Sequence, residues 1–310
     1  MANPEWTAKI PGFTPLRQRL RRVRQGFQRL RTRARKGGFW KALWYRRIRR
    51  IPVWYTDRSG ISIRLYPEDV NLEHVFGVKQ HFDDEAVLWL TRKLLTPGAV
   101  VLDVGANCGI FTVFVAPLVG VTGQVHAFEP TQASFRRLTE NVARLNGKVR
   151  TVRLNREAVG DYIGHAMFYE YAPGCSVWNS LSPHGMTGGE ATIMPAATVQ
   201  VPMTTLDQYC TDHGIAQIDL LKVDVEGFEI EVLRGCTRLL GEKRLRHLIF
   251  EISVEPLKGL NLTAKAVLQS VSDLGFDIEV IHPDGTREPV QIDLFSAPHF
   301  ANYLGIPRQR

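Results

Sequence analysis

Short apolar runs alternate with longer amphipathic stretches through most of this chain. Between residues 99 and 154 the pattern predicts strand 99–104, helix 109–118, strand 124–129, helix 131–146 and strand 149–154. Continuous apolar runs mark strands buried on both faces, and the stretches of helical period supply the crossovers that parallel strands need. The unit is the βαβαβ half of a doubly wound sheet. Helix 204–213, strand 218–224, helix 228–240, strand 246–252, helix 263–274 and strand 276–281 continue it, and 300–306 supplies the last strand. Residues 156–203 break the rhythm with small-residue loops and alternating pieces such as Ala166–Tyr169 and Thr198–Val201, which predict a β-rich insertion. Upstream, helix 82–95 stops at Pro97-Gly98, and strands Val53–Tyr55 and Ile61–Leu65 flank a turn at 57–60. The expected class is α/β, a Rossmann-like, mostly parallel sheet. The expected divisions are an arm over 1–51, a β/α lead-in over 52–98 and the main domain over 99–306.

The arm has a different pattern. Leu16, Leu20, Val23, Phe27 and Leu30 form one helical stripe among arginines and glutamines, broken at Gly37-Gly38. A second segment sets Trp40, Trp44 and Tyr45 among Lys41, Arg46, Arg47, Arg49 and Arg50. Residues 1–56 hold sixteen Lys or Arg against Glu5 alone, so of the chain's net +8 they carry +15 and the remainder carries −7. The basicity is therefore local, and the main domain is mildly acidic. An Arg-rich amphipathic helix flanked by interfacial aromatics suits an anionic membrane surface. Three other readings stay open: a grip on nucleic-acid phosphates, a targeting presequence, and packing on the chain's own domain.

The remaining composition narrows the class. Cys108, Cys175, Cys210 and Cys236 are scattered with no C-x-x-C pair, so zinc is not expected and free thiols are. The uncharged window Val104–Val125 contains Asn107, Pro117, Gln124 and four glycines, and reads as loop, buried helix and turn rather than a membrane span. The basic region lacks an apolar h-region and a cleavage site, so a cytoplasmic enzyme, peripheral at a membrane surface, is expected.

The chemistry centres on Asp103-Val104-Gly105-Ala106-Asn107-Cys108-Gly109, where a strand breaks into a small-residue turn that feeds a helix. A dinucleotide turn needs G-x-G-x-x-G so that pyrophosphate can rest on exposed N–H groups. Here Asn107 stands where the middle glycine would fall, no P-loop Lys-Ser/Thr follows, and Asp103 would repel a pyrophosphate. An acid at that strand end suits a cationic, phosphate-free ligand such as S-adenosylmethionine. Glu129, ending the second strand, suits a ribose diol. Asp224, Glu226 and Glu251 fall at the carboxyl ends of later strands, where a doubly wound sheet binds ligands. Period-2 alternation puts Lys222, Asp224 and Glu226 on one side, so an internal ion pair competes with a catalytic use of these acids. Loop 174–189, with Ser176, Trp178, Asn179, Ser180 and His184, is a candidate lid, His184 being an alternative base.

These blocks, together with Ala127-Phe128-Glu129-Pro130, Ala158-Val159-Gly160-Asp161, Thr205-Leu206-Asp207, Ile218 to Glu229 and Phe250-Glu251-Ile252, resemble the FkbM family of S-adenosylmethionine-dependent methyltransferases over about residues 80–305. Cys108 departs from the aliphatic residue usual there. The resemblance implies a class I methyltransferase fold and O-methylation of a hydroxyl on a saccharide, glycolipid or secondary metabolite. It implies that Asp103, Gly105, Asn107 and Gly109 line the methionine end, Glu129 and Pro130 the ribose, and Val159, Gly160 and Asp161 the adenine. Asp224 then lies beside both cofactor and acceptor, and Asp224, Glu226 or Glu251 takes the acceptor's proton. No cluster has metal-ligand spacing, so metal-free in-line displacement is expected, although Asp224 and Glu251 are the pair to watch for a divalent ion. Two rivals stay on the page. One is a nucleic-acid methyltransferase clamped by the arm, disfavoured because no Asn/Asp-Pro-Pro-Tyr/Phe motif is present. The other is a non-catalytic scaffold. If the arm serves a membrane, the full chain floats with anionic vesicles at low salt and is released by high salt; no flotation at low salt removes that reading.

Overall fold

The computed structural model describes residues 53–56, 61–65, 85–145, 152–171, 178–182, 186–188, 191–294 and 300–308, all within the unit Pro52–Arg310. The basic arm, the turn at 57–60, Cys175, Ser176 and His184 lie outside the described residues.

Strands β1 (Val53–Thr56) and β2 (Ser62–Leu65) pair antiparallel, and α1 (Glu85–Leu94) follows. The repeating unit then begins: β3 (Val100–Val104), α2 (Ile110–Val119), β4 (Gln124–Phe128), α3 (Gln132–Ala143) and β5 (Val152–Asn155). The insertion comprises β6 (Ala158–Val159), β7 (Gly164–Glu170), the hairpin β8 (Met186–Gly188) and β9 (Ala191–Ile193), and β10 (Ala197–Thr204). After it come α4 (Leu206–Asp212), β11 (Leu220–Val223), α5 (Glu229–Arg234), α6 (Thr237–Gly241), β12 (Leu248–Ser253), α7 (Val254–Gly259), α8 (Ala264–Asp273), β13 (Phe276–Ile281), β14 (Arg287–Pro289) and β15 (Phe300–Pro307).

The main sheet has eight strands in the order β14-β13-β15-β12-β11-β3-β4-β5. Strands β12, β11, β3, β4 and β5 are parallel, whereas β15 runs antiparallel between β12 and β13. This is the class I methyltransferase arrangement. From β3 the chain winds outward to β5, then returns to lay β11 on the other side of β3. That reversal opens a crevice at the carboxyl ends of β3 and β11. The insertion is β-rich: β6, β10 and β7 form a separate three-stranded sheet.

Two apolar clusters cover the two faces of the sheet. Strand alternation sends Val101 into one, with Val87, Leu90, Phe114 and Val115 of α1 and α2, and Leu102 and Val104 into the other, with helices α4, α5 and α8. Burying each such side chain stabilises the fold by about 1.5–3 kcal/mol. The lead-in joins this core through Asn141 of α3. Its Oδ1 accepts the Arg64 N–H at 2.9 Å, and its Nδ2 donates to the carbonyls of Arg64 (3.0 Å) and Cys108 (2.8 Å). Cys108, Cys210 and Cys236 are buried. Among the described residues no helix is long and apolar enough to cross a membrane.

The helix expected over 228–240 is two helices, and the reason is local. A Cβ on Gly235 would lie 2.0 Å from the Gly160 carbonyl oxygen, so the insertion's backbone presses into the break. Asp207 then serves as the N-terminal partner of α6, accepting the Arg238 and Leu239 N–H groups at 2.8 and 3.0 Å. The short helix α7 was not legible in the apolar pattern.

A polar network under α4 carries a pH signature. His126 on β4 is 3% exposed, and its Nδ1 lies 2.8 Å from the Tyr209 hydroxyl, which donates to Asn155 Oδ1 at 3.1 Å. Burial, reinforced by the charges of Arg153 and His213, pushes the imidazole from 6.5 down to about 4. The folded state thus prefers neutral His126, and the unfolded chain takes up this proton first. Stability from this residue is complete above pH 6.5 and declines as pH falls toward about 4, a loss of roughly 2–3 kcal/mol. In urea denaturation His126→Phe is expected to flatten the decline between those limits; an unchanged acid limb would show that another group carries it.

Candidate active site

Strand β3 ends at Gly105, whose φ is +86° and whose absent Cβ would sit 1.8 Å from the Asp224 carbonyl oxygen. No side chain fits there. The Gly105 and Ala106 N–H groups both donate to the Phe128 carbonyl, at 3.1 and 2.9 Å, and the Asp224 N–H donates to the Val104 carbonyl at 3.0 Å. Three strand ends are thereby fastened at one point. Asn107 follows at φ 49°, a left-handed conformation its short polar side chain tolerates. Gly109, at φ 92°, opens α2, and a Cβ there would lie 2.6 Å from Leu138 Cδ1 on α3. The space saved by the missing Cβ is taken by the backbone of Asp224, just past β11.

Glu129 is 6% exposed and holds the turn. Its Oε2 accepts the Asn107 N–H at 3.1 Å, and its Oε1 accepts the Thr131 N–H (2.9 Å) and hydroxyl (2.5 Å). Burial pushes this carboxyl up to about 7, against the pull of those bonds. A carboxylate has about four acceptor sites. With three used by the protein, Oε2 keeps one for an outside donor. Pro130, half-buried, follows and leads into α3. Asp103 is wholly buried, accepts the Thr112 hydroxyl on Oδ2 and sits opposite Lys222 in register. Burial raises its pKa, opposed first by the Lys222 charge. Asp103 Oδ1 and Asn107 Oδ1 are buried acceptors with no hydrogen-bond partner. Such orphans cost about 1–3 kcal/mol each. On a turn facing the crevice they fit a cationic amine that supplies the missing donors.

The second loop follows β11. Lys222 is 4% exposed and its Nζ lies 2.7 Å from Asp224 Oδ2, so the ion pair expected as an alternative is present. Glu226 (φ 54°) and Gly227 (φ 101°) turn the chain. Glu229, 2% exposed at the start of α5, accepts the N–H groups of Gly227 (3.1 Å) and Val225 (3.4 Å) on Oε1. Its carboxyl is pushed by burial up to about 7. Ser180 of the insertion donates its hydroxyl to the Glu226 carbonyl at 2.8 Å. Glu251 of β12 accepts the Ser253 hydroxyl at 3.2 Å. Asp224, Glu226 and Glu251 each present a carboxylate oxygen, all within 4.8 Å of one another. Burial and the neighbouring charges of Asp224 and Glu229 hold the Glu226 carboxyl well above the ordinary carboxylate range.

The structure therefore gathers Asp103, Gly105, Asn107, Gly109, Glu129 and Pro130 around one turn, and Asp224, Glu226 and Glu251 around its neighbour. Val159 is buried in β6 and Asp161 is exposed in the turn beyond it, where its charge acts on Glu231. Asp207, in the Thr205-Leu206-Asp207 block, is committed to α6. Trp178, Asn179 and Ser180 of the proposed lid are described, and Asn179 Oδ1 accepts the Tyr171 N–H at 2.8 Å. Sequence reasoning did not assign Glu229 a role. Its signal was a second acid three residues after Glu226, across Gly227.

A family model described as the methyltransferase FkbM domain matches residues 103–278, more than half of the chain. The chain belongs to the FkbM methyltransferase family. It is 34% identical over 163 residues to the 31-O-demethyl-FK506 methyltransferase FkbM of Streptomyces tacrolimicus, covering 46% of this chain and 60% of that one. Against the hexuronic acid methyltransferase AglP of Haloferax volcanii it is 26% identical, covering 68% and 80%. The chain thus spans less than two thirds of the first of these relatives. A Streptococcus mutans protein solved in complex with SAH aligns at 14% identity and TM-score 0.42, covering 73% of this chain and 98% of that one.

In this FkbM-family methyltransferase the Gly105 seam has a measurable consequence. Gly105→Ala is expected to cost about 3 kcal/mol or more, combining left-handed strain with backbone overlap. Gly214→Ala has comparable strain at φ +63° but nothing within 4 Å of its Cβ, and should cost about 1 kcal/mol. Chemical denaturation of both variants checks the difference; equal losses would remove the overlap argument.

Proposed function

We propose that this methyltransferase transfers the methyl group of S-adenosylmethionine to a hydroxyl of a saccharide, glycolipid or secondary metabolite. The observation that carries the cofactor reading is the pair of orphaned acceptors, Asp103 Oδ1 and Asn107 Oδ1, on a turn with Asn107 where a dinucleotide turn has its middle glycine. S-adenosylmethionine supplies an electrophilic methyl on a sulfonium. Asp103 and Asn107 would receive its ammonium, and the remaining Oε2 site of Glu129 a ribose hydroxyl. Val159, Gly160 and Asp161 are proposed for the adenine.

The acceptor's place is the carboxyl edge between Asp224, Glu226 and Glu251. Its oxygen forms the new bond to carbon as the sulfur–carbon bond breaks, and its proton passes to one of these carboxylates. Asp224, already paired with Lys222, and Glu251 are the groups proposed for that step. A positioned base contributes about 10²–10⁴-fold. Alignment of oxygen, carbon and sulfur contributes at least as much. A hydroxyl on a sugar or polyketide-like molecule is supported by the relatives, one named for a hexuronic acid and one for demethyl-FK506. The Arg-rich segment is proposed to bring the enzyme to an anionic surface, which favours a glycolipid acceptor.

Calorimetry with SAH is expected to show one site per chain. Glu129→Ala should weaken it at least tenfold, about 1.4 kcal/mol. No binding by the wild type would refute the cofactor, and unchanged affinity of the variant would refute the ribose assignment.

A further inference from the structure

Spacing along the chain shows no metal motif, yet the fold brings three carboxylates from separate segments to one point. Asp224 directly follows β11, Glu226 lies in the loop beyond it, and Glu251 stands on β12, each offering an oxygen within 4.8 Å of the others. A cluster of acids alone identifies nothing. The second observation is the state of Glu226: its Oε2 is sealed from solvent and accepts no hydrogen bond. Among the described residues its carboxyl feels the negative charges of Asp224 and Glu229 and the positive charge of Lys222. Lys222 Nζ is already 2.7 Å from Asp224 and lies 5.5 Å from the centre of the Phe111 ring. The chain does not leave Glu226 free to swing away, because Glu229 gathers the N–H groups of its loop and Ser180 holds its carbonyl.

We propose that Asp224, Glu226 and Glu251 form a binding site for a hard divalent cation of the Mg²⁺, Mn²⁺ or Ca²⁺ class. The donor set is oxygen only, which these ions prefer and softer metals do not. Size agrees. Oxygens on opposite sides of Mg²⁺ stand about 4 Å apart and of Ca²⁺ about 5 Å apart, and the three carboxylate oxygens lie within 4.8 Å of one another, close enough to share one ion of this class. Three protein oxygens leave half or more of a six- to eight-coordinate shell for water or substrate. The role of those positions rests on the methyl-transfer reading: two adjacent acceptor oxygens, as in a vicinal diol or a hydroxy acid, bind the ion, which lowers the pKa of the hydroxyl to be methylated. Cation binding itself does not depend on that reading.

The test is a Mn²⁺ titration of the full chain followed by electron paramagnetic resonance, with Ca²⁺ and Mg²⁺ as competitors and SAH calorimetry on the same samples. One Mn²⁺ bound per chain, displaced by Mg²⁺ or Ca²⁺, is expected. Glu226→Gln and Glu251→Gln should each weaken it at least tenfold. Asp293→Asn, at a fully exposed carboxylate, should leave Mn²⁺ binding unchanged. If one Gln variant fails to fold, Glu226→Asp, which keeps the charge and shortens the reach, should give a partial loss. Wild-type protein that binds no Mn²⁺ at millimolar concentration overturns the site, as does equal binding by folded Glu226→Gln. Mn²⁺ binding without SAH binding would leave the cation site standing and overturn the cofactor reading instead.

Discussion

Everything at the carboxyl edge depends on the contact between Gly105 and the backbone of Asp224. Two parallel strands that the chain reaches by opposite routes, β3 first and β11 after the outward excursion to β5, must end side by side for the crevice to exist. Their turns would normally splay apart under the bulk of their side chains. Here a missing Cβ lets the Asp224 carbonyl sit where a methyl group would be, and the Phe128 carbonyl takes two N–H groups from the same turn. The Asp103–Gly109 turn and the acidic loop are thus one object with two lobes.

Acids in this site divide by what their oxygens are already doing. Glu129 and Glu229 are buried and spend most of their acceptor capacity on backbone N–H groups of the two loops. They act as internal partners for turns that have left regular structure, where unpaired N–H groups would otherwise be costly. Asp103 and Asn107 keep one buried acceptor each, and Glu226 another. Free energy forgone at these atoms is recoverable when a cation or donor arrives.

Much of this was legible in the sequence. The alternation of apolar runs and helical stretches dictated the parallel core, because both faces of those strands must be covered. The Asp103 to Gly109 turn excluded pyrophosphate through the absence of a central glycine. The acids at the strand ends fell on one edge because strand direction and period place them there. What sequence could not show was distance. Asp224 and Glu251 lie on adjacent strands whose register depends on side-chain packing, and Glu226 reaches them through a left-handed turn that no local propensity specifies. Ser180, 46 residues from Glu226 in sequence, contacts it only because the insertion folds back. The break between α5 and α6 likewise comes from Gly160, a residue of another sheet.

In the proposed reading, the two loops joined at Gly105 bind S-adenosylmethionine together. Amide hydrogen exchange of the full chain with and without saturating SAH tests it most directly. Slowed exchange over residues 103–112, 129–133, 159–161 and 224–229, with little change over β13 and β14, is the predicted result. Protection that spares both loops, or that appears at one and leaves the other unchanged, would contradict it.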